Sequence, residues 1–170
     1  MRQTGTVILI LALLPLFGVA QEYKSYSVRK DRLVILLSGG ELDIVPLTAK
    51  AVRVIWSREK AKPDSELILI NKPPAPAFHC SERASALLLS TGAVTVSFDK
   101  ATGAIDYQDV SGRVFLREKA GSRKLRPDSV MGEPCFVAEQ SFESPGDEYL
   151  FGLGQFQDGN FNLRTEYRRF

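Results

Sequence analysis

VTVSFDKATGAIDY, residues 94–107, decides the fold. Val94, Val96 and Phe98 alternate with Thr95 and Ser97, the period-2 pattern of a strand with one buried face and one wet face. Asp99-Lys100-Ala101-Thr102-Gly103 then supplies turn chemistry, and Ile105 and Tyr107 resume the alternation. A second turn, Asp109-Val110-Ser111-Gly112, leads to Val114 and Leu116. Together they predict a meander of short antiparallel strands.

The same period extends outward on both sides. Val52, Val54 and Trp56 share one face of a strand, and further strands are expected at 33–37, 41–45, 67–70, 86–89 and 136–142. Loops are expected at 60–65, 72–76, 122–133 and 144–147. No stretch after residue 20 sustains the i, i+3, i+4, i+7 pattern of an amphipathic helix. The fold class is therefore all-β, an antiparallel β-sandwich.

At 170 residues and 44% hydrophobic content the chain has room for one packed domain. Part of the apolar count lies in the run VILILALLPLF at 7–17, preceded by Arg2 and followed by Gly18-Val19-Ala20. Residues 1–20 read as a secretory signal peptide, and residues 21–170 as the exported, periplasmic or extracellular domain. A lone membrane anchor is the alternative, but the run is shorter than the about 20 apolar residues that a spanning helix needs.

A net charge of +2, with basic residues scattered among acidic ones, speaks against a nucleic-acid partner. The basic stretch 117–126 contains Glu118 and reads as a solvated loop. His79 beside Cys80 lacks the further ligands of a zinc site, so no metal and no cofactor are assigned. In an exported protein Cys80 and Cys135 either pair in one disulfide or stay free in the core. The carboxylates Glu41, Asp43, Asp147 and Glu148 read as solvated surface groups, and no catalytic residue is assigned.

Residues 148–162, EYLFGLGQFQDGNFN, concentrate three glycines, two glutamines, an aspartate, two asparagines and four aromatics in fifteen positions. The glycines allow bends and tight turns, amide and carboxylate side chains offer paired donors and acceptors, and aromatic faces suit sugar rings. A plain bulge and turn explains the glycines equally well.

Glu148-Tyr149-Leu150-Phe151-Gly152-Leu153-Gly154-Gln155 resembles the E-x-x-Y/F-G-L-G-E/Q signature of the amino-terminal β-sandwich of family 31 glycoside hydrolases. The continuation through Arg164 is most similar to the bacterial α-xylosidase branch. The strand at 52–56 and the stretches 88–96 and 102–107 stand in the order that resemblance requires.

The resemblance implies a galactose mutarotase-like sandwich, continuing through further strands to a catalytic (β/α)₈ barrel that carries two aspartates. On that reading the chain is an incomplete, noncatalytic part of a retaining α-xylosidase or α-glucosidase, inactive alone, marginally stable or aggregation-prone. Its partner would be an oligosaccharide, met together with the barrel. By position, Gln155, Gln157, Asp158 and Asn162 would help shape the substrate pocket. The other reading is a free-standing carbohydrate-binding sandwich without hydrolysis.

Overall fold

The structure is a computed structural model describing residues 21–58, 74–152 and 162–164. Strands β1 (Tyr23–Val28), β2 (Leu33–Leu37), β3 (Gly40–Thr48) and β4 (Ala51–Ser57) form one antiparallel sheet in chain order. Strands β5 (His79–Glu82), β6 (Ala86–Ser90), β7 (Thr95–Asp99), β8 (Ile105–Gln108) and β9 (Val114–Arg117) form a second. A separate hairpin joins β10 (Lys124–Val130) to β11 (Glu133–Glu139).

Register explains why the two sheets meet. In the first, Leu33 stands opposite Ile44 and Ile44 opposite Val54, while Ile35 faces Leu42 and Leu42 faces Trp56. In the second, Leu87, Phe98 and Ile105 form one row, and Cys80, Leu89, Val96 and Tyr107 another. Every inward residue thus has an inward neighbour on the next strand, which is the pairing that stabilises a sheet face. The two inner faces join in one core of ten buried residues: Leu33, Ile35, Leu37, Leu42, Ile44, Leu87, Leu89, Val96, Phe98 and Ile105. Each such side chain contributes about 1.5–3 kcal/mol of transfer free energy when buried. The core draws equally on both sheets, so the architecture is a β-sandwich.

Two local devices set the geometry of the first sheet. A bulge at Lys24 lets both Tyr23, opposite Leu37, and Tyr26, opposite Ile35, lie on the inner side of β1. Tyr23 packs its ring 6.2 Å from that of Phe98. At the start of β3, Gly40 has φ +135°, and a Cβ there would lie 2.1 Å from the Ser57 carbonyl oxygen. Only glycine allows β3 to begin so close to the end of β4.

The sandwich is laced at one edge. Tyr26 Oη on β1 donates to Glu82 Oε2 on β5 at 3.2 Å, and Lys100 Nζ donates to Glu82 Oε1 at 2.5 Å. Lys100 therefore ties strand ends together, its side chain only 16% exposed.

Several expectations need correction. Residues 122–133 are not a loop: β10 occupies most of that stretch and closes on β11 through Met131-Gly132, with φ of 51° and 85°. Positive φ at both positions is the two-residue hairpin turn whose twist matches its strands. Pro127 and the charges of β10 hide the strand because neither of its faces is buried in the core. Asp43 is not a solvated carboxylate but 3% exposed, and it accepts a 2.7 Å hydrogen bond from Arg32 Nη1. The basic stretch 117–126 contains most of a paired network rather than free charges: Arg117 with Asp106, Arg123 with Glu118 and Arg126 with Glu139. The strand expected at 67–70 and the loop at 60–65 lie outside the described residues.

Candidate functional site

The glycine-rich segment is described at both ends, through Gly152 and again from Asn162 to Arg164. Its two ends meet. Leu163 N–H donates to the Leu150 carbonyl at 2.8 Å, and Asn162 Oδ1 accepts the N–H groups of Leu150 at 3.1 Å and of Arg164 at 3.2 Å. Leu163 is buried, which adds an apolar anchor to the polar one. Gly152 has φ 103°, the backbone bend that its residue type predicts.

Among the residues expected to shape a pocket, Asn162 is thus a backbone clip, its carbonyl oxygen already engaged. Gln155, Gln157 and Asp158 lie outside the described residues. Beside the clip, the Arg164 guanidinium donates to the carbonyls of Gly146 and Ser144, and Ser144 Oγ donates to Glu148 Oε2 at 2.6 Å. Tyr149 and Phe151 are 65% and 57% exposed. Their ring planes are 5° apart, with centroids 6.3 Å from each other.

A second feature has no counterpart in the motif. A cleft of about 280 Å³ opens where Trp56 and Arg58, the turn 102–104 and the stretch 118–126 converge. On its wall sits Glu118, 3% exposed, whose Oε2 accepts the Ile105 N–H at 3.1 Å. Arg123 donates to the same oxygen and Gln140 to the other. Arg123 precedes β10 and Gln140 follows β11, so one carboxylate clamps both feet of the hairpin to the second sheet. Burial pushes the Glu118 carboxyl above the ordinary glutamate range, against the pull of the Arg123 charge. Tyr107 is pushed up to about 12, chiefly by burial and then by the Glu118 charge.

The chemistry open to the cleft is limited. Hydrolysis of a glycoside through a covalent intermediate needs two carboxyl groups about 5–5.5 Å apart. Glu118 is the one acidic residue among the described residues lining the cleft, and its oxygens are committed to three donors. It acts as a clamp. Sequence reading missed it because its partners lie up to 22 residues away, and a lone glutamate in a basic stretch gives no local sign of burial.

His79 is exposed, and no group of three or more potential metal ligands occurs among the described residues. Cys80 on β5 and Cys135 on β11 are both free, and burial raises the Cys80 thiol. No helix among the described residues is long and apolar enough to cross a membrane.

No family model matches the chain. Among solved structures it is similar to the GH31 α-xylosidase from Xanthomonas citri, at 30% identity and a TM-score of 0.68, over 80% of this chain and 16% of that one. It is also similar to a GH31 α-xylosidase from a soil metagenome, solved in complex with xylose, at 22% identity and a TM-score of 0.69. That match covers 82% of this chain and 23% of the other, and speaks to the fold alone. The chain spans less than a quarter of the length of either enzyme.

Proposed function

We propose, from the premise that this β-domain belongs to the family 31 glycoside hydrolases, that the chain is the noncatalytic amino-terminal part of an exported, retaining α-glycosidase of the α-xylosidase or α-glucosidase kind. The observation that carries the reading is 30% identity to an α-xylosidase across four-fifths of the chain. The segment 148–164 supports it, because Leu150 of the family signature is clipped to Asn162 and Leu163 of the continuation. The two carboxylates of the retaining reaction are assigned to no residue of this chain.

Within that reading, Gln155, Gln157 and Asp158 contribute hydrogen bonds to the sugar, and Asn162 holds the base of their loop. The sugar would be an α-linked xylose or glucose at the end of an oligosaccharide. A carbohydrate-binding role without hydrolysis is the second reading, supported by the amide and aromatic side chains gathered in 148–162.

The test is a chimera in which this chain replaces the matched region of the Xanthomonas citri enzyme. Asp158→Ala should raise KM for an α-xyloside several-fold, and Lys30→Ala, at an exposed position, should not. Lys100 is unsuitable as that control because it is half-buried and bonded to Glu82. Equal KM values for the two variants would remove the pocket role, and a chimera that turns over no α-glycoside would count against the enzyme reading.

A further inference from the structure

Removal of the leader read at residues 1–20 leaves Gln21 as the first residue, with the small residues Gly18 and Ala20 on the leader side of the cut. A glutamine in that position carries both partners of a reaction. Its α-amine is a nucleophile, its side-chain amide is an electrophile, and the bonds between them close a five-membered lactam. The fold fastens the chain immediately after it. Glu22 N–H donates to Ser38 Oγ at 3.0 Å, and Ser38 N–H donates to the Glu22 carbonyl at 2.8 Å. The Gln21 side chain lies against Gly39, where an added Cβ would sit 3.5 Å from its Cδ. Its Oε1 is buried and meets no donor among the described residues.

Charge favours the same reaction. Gln21 lines the cleft together with Arg58, Lys119, Arg123, Lys124 and Arg126, and Glu118 is the one acid among the described residues there. Arg123 is paired with Glu118 and Arg126 with Glu139, which leaves an excess of positive charge from Arg58, Lys119 and Lys124. Like charges nearby favour a neutral amine over an ammonium, and the neutral amine is the form that attacks. Closing the lactam then removes a positive charge from a wall already rich in them. It also removes the primary amide from a place where its oxygen has no donor.

We propose that Gln21 is a modification site, at which the exported chain closes its amino terminus as pyroglutamate. The α-nitrogen bonds to Cδ, the Cδ–Nε2 bond breaks, and Nε2 leaves as ammonia with the proton given up by the amine. No oxidant or co-reactant is consumed. The product is neutral and closed to aminopeptidases that need a free amine. The cap rests on the exported reading above and is independent of which sugar the protein meets.

The experiment expresses the full chain, leader included, in a bacterial host and measures the intact mass of the product before any digestion, then maps its peptides. The terminal peptide should begin at residue 21 and be lighter than its encoded mass by one ammonia. Pyroglutamyl aminopeptidase should remove that first residue and expose Glu22. Gln21→Ala, cut at the same bond, should keep its encoded mass and a reactive amine. A terminal Gln21 that stays a free amine through prolonged incubation at neutral pH overturns the cap and leaves the export and glycosidase readings standing. Cutting at another bond does the same. A chain that keeps its leader overturns the cap and the exported reading together. If the ammonia is also missing from Gln21→Ala, another residue has lost it and the proposal fails.

Discussion

The sandwich and the hairpin are built from the same kind of strand but held by different forces. Ten side chains of β2, β3, β6, β7 and β8, from Leu33 to Ile105, are almost wholly buried in one core. Strands β10 and β11 expose most of their residues, including Phe136 and the turn residue Met131. The first region stands on apolar area. The second stands on its own ladder and on Glu118, Arg123 and Gln140 at its base, together with Arg58 placed 5.2 Å over the Phe136 ring. Polar fastening of this sort is directional and local, whereas apolar burial is shared by the whole core.

Four changes would break or sharpen that contrast. Phe98→Ala removes the largest wholly buried side chain and should cost about 3–5 kcal/mol in urea unfolding, lowering both regions together. A loss confined to the hairpin would refute the division. Glu118→Ala leaves the Arg123 charge without its buried partner, at about 3 kcal/mol. Here the amides of β10 and β11 should exchange with solvent well before those of β6 and β7. Uniform exchange would show that the clamp is not local.

Third, Gly40→Ala combines a positive φ with a clash against Ser57 and should cost about 1–3 kcal/mol, felt in β3 and β4. Smallest is Arg126→Ala at the solvent-exposed pair with Glu139, which should leave the melting temperature unchanged within error.

The pH dependence of Glu118 sharpens the comparison further. Its folded pKa is raised above the ordinary value of 4.5, burial being the larger cause. The folded state therefore holds the proton more tightly than the unfolded chain. The associated stability is fully present below 4.5 and is lost as pH rises through the folded value. Glu118→Gln should flatten that part of the melting profile while keeping a hydrogen-bonding side chain in place. An unchanged slope would assign the acid-range dependence to other carboxylates.

Legibility in the sequence follows the same division. Strands β2, β4, β7 and β8 could be read within a residue or two because their alternation is the direct imprint of a buried face. Strand β1, with Lys24, Ser25 and Ser27, and strand β10, with Pro127 and three charged residues, bury too little to carry such an imprint. Asp43 and Glu118 were misread for a related reason. Whether an acid is buried depends on a partner brought by the fold, Arg32 in one case and Arg123 in the other, and charge alone suggests solvent. At the candidate site the motif itself was legible. The job of Asn162 was not, because an amide that caps backbone and one that binds a ligand look alike in sequence.

The contact between Leu150 and Leu163 has one more consequence. Because the chain leaves and returns at a single fastened point, the entropy of closing the intervening stretch is settled by the clip. Doubling a loop's length costs only about 0.6 kcal/mol of closure entropy. Asn162→Ala, which leaves the Leu150 N–H without its acceptor, should therefore loosen Leu150 and Leu163 together.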